Sequence, residues 1–221
     1  MGTLIAVKAR GTLMGNRGCL HDAQGRITGR RWTTRAWICC VLEFQGRKRR
    51  VMAPGRYTEL FFLDEATAFS AGHRPCGECR RAAHALFRHY WMIANSHLLP
   101  EGELNLAGLD RVLHDERLAR EERRERWLAP LDILPNGAMV LLSRADEPWL
   151  VLGGELLKWA PSGYRERIPR PPGATVVLLT PPSLIGVLAS GYPVEIHTSA
   201  NKSPPRSSRR PAPGKAARKG T

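Results

Sequence analysis

An α+β fold is the expectation for this chain, and three observations carry it. Between Glu59 and Trp91 a short apolar run, Leu60–Leu63, precedes two helical stretches that bracket Arg74-Pro75-Cys76-Gly77-Glu78-Cys79. From Pro130 onward the pattern changes to short apolar runs separated by Pro, Asn and Gly turns. From Ser199 the chain becomes Ser, Pro, Lys, Arg and Ala, with nothing large and apolar to bury. The expected architecture is a small cysteine-bearing β-hairpin and helix module packed with a C-terminal mixed β-sheet and followed by a disordered basic tail. The corresponding division is 1–98 for a basic loop plus the cysteine module, 99–129 for a charged helical connector, 130–198 for a small α+β subdomain and 199–221 for the tail.

Taken in order, Gly2–Val7 reads as a first strand. A loop rich in glycine (Gly11, Gly15, Gly18, Gly25, Gly29) and arginine (Arg17, Arg26, Arg30, Arg31, Arg35) follows, with Trp32 inside it. Ala36–Phe44, Gln45-Gly46 and Arg47–Met52 read as a β-hairpin with a short turn. Leu60–Leu63 is a strand end. Asp64 is placed to cap a helix that Gly72 stops, because a carboxylate accepts from first-turn amides and glycine adopts the left-handed terminus. The helix from Arg80 to about Ala94 sets Ala83, Phe87, Tyr90 and Trp91 on one stripe, which reads as core. Leu106–Trp127 is helical and heavily charged, with a thin apolar edge, a possible break near Asp115 and the pairs Glu116–Arg120, Glu121–Arg124 and Glu122–Arg126 at helical spacing. Strands are expected at Ala138–Leu142, Trp149–Leu152, Glu155–Trp159 and Ala174–Leu179, with a loop over Pro161–Pro172. Thr180 or Ser183 is the expected cap of a last helix, Leu184–Ala189, stopped by Gly191.

The chemistry gathers at the cysteines. A Cys-x-x-Cys pair turned by Pro75 and Gly77 aims two sulfurs at one centre, and thiolates suit tetrahedral zinc. Arg74, Arg80, Arg81 and the helix start behind Cys79 favour the thiolate form. A redox dithiol asks for the same surroundings, but that motif follows a strand in a βαβ setting, whereas here a helix precedes it. Structural Zn2+ is therefore the expected cofactor, and the module is read as zinc-stabilised. Upstream, Cys39 and Cys40 are neighbours on a strand, where adjacent side chains point to opposite faces. Cys40 is the favoured third ligand, and the fourth is open among Cys39, Cys19, His21, His73 and His84.

Phe62, Glu65, Ala66, Ala71, Gly72, Arg74, Pro75, Cys76 and Cys79 together resemble the second half of the Ada-type zinc-binding domain. The resemblance covers about thirty residues and is most specific over Gly-x-Arg-Pro-Cys-x-x-Cys. It implies a four-thiolate zinc site, here assigned to Cys76, Cys79, Cys40 and Cys39, lying against the DNA backbone. It also implies a link to DNA repair, because a zinc thiolate of that family's namesake accepts a methyl group from a DNA phosphotriester. The family's upstream ligands are two spaced cysteines; this chain has adjacent ones.

The formal charge is +14, and the tail beyond Ser199 contributes seven of those charges with no acid. A basic body with a basic tail suits a polyanion, DNA first among them. Arg17, Arg30, Arg31, Trp32, Arg74 and the dense run Arg47, Lys48, Arg49 and Arg50 are the candidate contacts. His21 beside Asp22 is the candidate acid–base pair. A DNA-processing enzyme of glycosylase or nuclease type is the alternative reading, with Glu43 and Glu78 as further candidates and Trp32 or Tyr57 to stack on an extruded base. Five cysteines in no disulfide-like spacing, no secretory signal and no apolar run of membrane-spanning length give a cytoplasmic expectation, with no membrane and no evident protein partner.

Overall fold

The first of two sheets is built from short strands that the apolar spacing alone marks weakly. The computed structural model describes residues 4–48, 50–121, 126–142 and 147–201. Among them β1 (Leu13–Asn16), β2 (Ile38–Val41), β3 (Leu60–Phe62) and β4 (Arg74–Pro75) form a sheet in the order β3-β1-β2-β4. The strand β1 is antiparallel to both neighbours, and β4 pairs with β2 in parallel. The first strand therefore lies inside the glycine-rich stretch, and the described part of Gly2–Val7 is exposed coil. Gly15 explains why: a Cβ there would sit 2.4 Å from Cε2 of Phe62, so only glycine lets that ring lie across the strand.

The expected hairpin is half formed. Gln45 and Gly46 make the turn, with φ of 50° and 66° and the Arg47 amide donating to the Phe44 carbonyl at 3.0 Å. The described residues of the expected return strand, Arg47–Met52, form no strand. Both edges of β2 are already taken, by β1 and β4, and four consecutive cations resist a paired strand.

The helix α1 (Glu65–Ser70) begins and ends as its sequence dictates. Asp64 Oδ1 accepts from the Thr67 amide at 2.9 Å, and Gly72 follows the last turn at φ 75°. Helices α2 (Arg81–Asn95), α3 (Leu106–Glu121) and α4 (Pro182–Ala189) close around it. Phe69, Phe87, Trp91, Leu109, Leu113 and Leu184 form their shared core. The helix α3 runs unbroken past Asp115. It is more deeply set than a solvated connector, because Asp110, His114 and Arg117 are buried along with Leu109 and Leu113. Glu116 leaves its helical partner and accepts from the amide and hydroxyl of Ser183, at 2.8 and 2.6 Å, near the start of α4. The N-cap itself is Pro181, which carries no capping side chain.

The second sheet contains β5 (Leu128–Pro130), β6 (Met139–Leu141), β7 (Pro148–Leu152), β8 (Glu155–Ala160), β9 (Gly163–Pro169) and β10 (Thr175–Leu178), in the order β5-β10-β6-β7-β8-β9. Every pairing in it is antiparallel; the parallel pairing of the molecule belongs to the first sheet. The stretch expected as a loop, Pro161–Pro172, holds β9. Its sequence GYRERIP hides an edge strand whose Arg165 and Glu166 face solvent, as charges on edges often do. Both faces of the sheet are covered. Leu131, Val140, Val151, Leu156 and Val176 fill one side. Met139, Leu150, Leu157 and Tyr164 fill the other, where they meet Leu63 and Ala66 from the N-terminal half. Of the predicted tail, Ser199–Asn201 sit in a short 3-10 turn, and the residues after Asn201 lie outside the described ones. No helix among the described residues is long and apolar enough to cross a membrane.

Candidate metal centre

The alternation of β2 decides which thiols meet. Cys39 and Cys40 face opposite sides of the first sheet. Cys40 points toward Met14, Cys76 and the partly buried Ile38, Tyr57 and Cys79. The strand β4 then delivers Cys76 to the same place: its amide donates to the Cys39 carbonyl at 3.0 Å. A tight turn follows, in which the Arg80 amide returns to the Cys76 carbonyl at 3.1 Å and the Glu78 amide points at Cys76 Sγ at 3.4 Å. The sulfurs of Cys40, Cys76 and Cys79 all lie within 4.8 Å of one another.

The electrostatics suit a cation. Cys76 is pulled down to about 5, first by the hydrogen bond from the Cys40 thiol and then by the Cys79 and Glu78 amides, which together outweigh burial. Cys40 is pushed up, first because its proton is held on that bond and then by burial. Cys79 is raised as well, chiefly by burial. One thiolate and two thiols thus share the site, and a divalent ion would displace the two remaining protons. The donor set, three soft sulfurs at close range, fits zinc.

Cys39 is a correction to the expected ligand set. It is fully buried on the far face, where burial lifts its thiol to about 12. Its Sγ accepts from Arg80 Nη1 at 3.2 Å, and the same nitrogen binds Glu65 Oε1 at 2.7 Å. Glu65 in turn accepts from the Tyr192 hydroxyl at 3.0 Å and the Glu195 amide at 3.1 Å. The sequence reading counts Arg80 among the charges that favour the metal thiolates; its guanidinium instead turns to this buried network. Nothing in the spacing of Glu65 and Arg80 across the knuckle signals the pairing, which only the fold creates.

Two of the nucleic-acid candidates are also corrected. Arg17 is buried, with its guanidinium 4.5 Å from the centre of the Trp37 ring, while Arg117 lies 4.3 Å from the same ring. Arg74 is buried in a two-bond ion pair with Asp110, at 2.6 and 2.7 Å, joining the knuckle to α3. These side chains hold the fold and present no charge to a polymer. Arg30, Arg31, Arg47, Lys48 and Arg50 are exposed; Arg49 lies outside the described residues. Trp32 packs edge-on against His114 at 4.5 Å. Arg47 Nη2 binds Glu78 Oε1 at 2.6 Å, so the cationic turn is latched to the knuckle between Cys76 and Cys79.

His21 and Asp22 do not work as a pair. The His21 ring is buried, with Nδ1 2.6 Å from Thr58 Oγ1 and Nε2 3.2 Å from the Ala53 carbonyl. Asp22 accepts from the amides of Gln24 and Arg26 and from Arg26 Nε, and the Arg26 amide is the main cause of its lowered pKa. Both residues organise the glycine-rich loop.

Comparison with protein-family models, with curated proteins and with solved structures finds no match for this chain. The functional reading therefore rests on the geometry of the thiols and their surroundings.

Proposed function

We propose that the protein binds zinc through Cys40, Cys76 and Cys79 and uses the cationic turn latched beside that site to engage nucleic acid, DNA foremost. The observation that carries this reading is the convergence of three sulfurs from β2 and the knuckle within 4.8 Å. Thiols packed this closely without a cation leave protons between soft donors; a divalent ion replaces them and ties β2 to the start of α2. Structural zinc contributes on the order of 10 kcal/mol to small domains. The ion pair between Arg47 and Glu78 then makes the position of Arg47, Lys48 and Arg50 depend on the knuckle. Phosphate contacts need such fixed cations. The motif resemblance to the Ada-type domain supports DNA over other polyanions and points to repair or modified-DNA recognition. With His21 and Asp22 committed to loop structure, binding stands ahead of DNA processing as the reading.

The test pairs metal analysis with a salt-dependent DNA titration. The purified protein is expected to hold one zinc and to shift duplex DNA at low salt. Changing Arg47, Lys48 and Arg50 to Ser should reduce the slope of log affinity against log salt by roughly two to three, close to one for each phosphate that a cation neutralises. An unchanged slope would remove the turn from the interface. A folded protein that neither holds zinc nor binds DNA at low ionic strength would overturn the proposal.

A further inference from the structure

Three sulfurs leave a tetrahedral ion one ligand short, and the helix behind the knuckle supplies a candidate for the fourth. Cys40, Cys76 and Cys79 converge within 4.8 Å. Cys39 faces Arg80 on the other side of the sheet. Cys19 directs its thiol to the His21 carbonyl at 3.5 Å. His21 has both ring nitrogens engaged, one by Thr58 and one by the Ala53 carbonyl. His73 is fully buried against the rings of Trp37 and Phe62. His84 differs from all of these. It stands in the first turn of α2 and completes the spacing Cys-x-x-Cys-x-x-x-x-His. Its Nδ1 lies 3.1 Å from the Pro75 carbonyl. A carbonyl only accepts, so Nδ1 carries the ring proton and the neutral imidazole keeps its lone pair on Nε2. That edge of the ring lies over Gly77, the residue that follows Cys76. A Cβ on Gly77 would stand 3.4 Å from both Nε2 and Cδ2 of His84, and glycine places no side chain against the ring.

We infer that Nε2 of His84 is the fourth ligand of a divalent ion held by Cys40, Cys76 and Cys79, which makes a closed site of three thiolates and one imidazole. This rests on the zinc reading above. Metal-bound imidazoles almost always donate their second ring N–H to a carbonyl, a carboxylate or water, which fixes the tautomer and aims the ring. The Pro75 carbonyl, adjacent to Cys76 in the chain, is in place for that role. His84 is not among the donor atoms that all lie within 4.8 Å of one another, so its imidazole swings in from above Gly77 as the ion binds. The side chain is half-buried, and packing does not lock the ring on every side. Closure joins β2, the knuckle and the first turn of α2 through one ion. It leaves no exchangeable position, so the centre fastens the fold and is not a Lewis acid.

Cadmium-113 loading reads the ligands one by one in the wild-type protein. Proton–cadmium correlation is expected to couple the metal to the β-protons of Cys40, Cys76 and Cys79 and to the ring protons of His84. Couplings to the three cysteines alone would overturn the inference and leave the zinc reading standing. Absence of any cysteine coupling would remove the zinc reading, and this inference with it. Cobalt(II) gives a second readout. The ligand-field bands of the wild-type protein should not respond to added imidazole, because the fourth position is filled. His84→Ala should start from a different spectrum, bind zinc more than about tenfold less tightly and shift saturably toward the wild-type spectrum when imidazole is added. A wild-type spectrum that responds to imidazole, or a His84→Ala spectrum identical to the wild-type one, would overturn the inference.

Discussion

Cys39 and Cys40 are adjacent in the chain, and their surroundings have almost nothing in common. Cys40 meets two other thiols in a buried to half-buried cluster, where hydrogen bonding draws the Cys76 thiol down to about 5 and the three sulfurs lie close enough to hold a cation. Cys39 meets a guanidinium and, through it, a buried carboxylate that ties α1 and α2 to the segment carrying Tyr192 and Glu195. One strand thus presents two surroundings, three thiols close enough to hold a metal ion on one face and a charged structural core on the other. A pleated strand separates neighbouring side chains completely, so a Cys-Cys dipeptide is two environments and not a ligand pair.

That contrast is open to direct attack. The largest effect is expected at the thiol face. Cys76→Ser removes the one cysteine that is a thiolate before metal arrives, and zinc affinity should fall by more than about 100-fold, beyond what loss of an outer-shell partner costs; competition with a chromophoric chelator measures it. The next largest effect is on pH. At pH 7 the thiolate of Cys76 is already formed while Cys40 and Cys79 carry protons, so zinc binding should release about two protons and affinity should rise about 100-fold per pH unit. Below about pH 5, where Cys76 also takes a proton, the dependence should steepen as the thiols release three protons. Isothermal calorimetry in buffers of different ionisation enthalpy counts them, and a count of three at pH 7 would mean Cys76 is an ordinary thiol.

The opposite face should answer in stability. Glu65→Ala leaves the Arg80 guanidinium buried, with only the largely exposed Glu195 as a carboxylate partner, and should cost about 3–5 kcal/mol in denaturant unfolding. Its folded fraction should still hold zinc. Cys39→Ala removes one hydrogen bond to a cation that keeps Glu65, and should cost about 1–2 kcal/mol with zinc content unchanged.

What was legible in the sequence follows the same division between local and distant causes. The cap at Asp64, the stop at Gly72, the bounds of α2 and the opposite facing of Cys39 and Cys40 come from neighbours along the chain, and those expectations match the structure. The knuckle was legible because Pro75, Gly77 and two cysteines act within one turn. The misreadings involve partners far apart. Arg17 and Arg74 look like surface cations until Trp37 and Asp110 are brought beside them. The segment Arg47–Met52 looks like a return strand until β4, far later in the chain, takes the edge it would need. The strand β9 carries too many charges to stand out, because only one of its edges and part of its surface are covered. The second sheet, apolar on both faces, gave short runs whose pairing direction no local signal fixes.

Zinc content of Cys39→Ser and Cys40→Ser, purified side by side and confirmed folded by circular dichroism, tests the central claim most directly. One zinc per chain in Cys39→Ser and none retained in Cys40→Ser is the predicted result. Zinc kept by Cys40→Ser and lost from Cys39→Ser would contradict the assignment of the two faces.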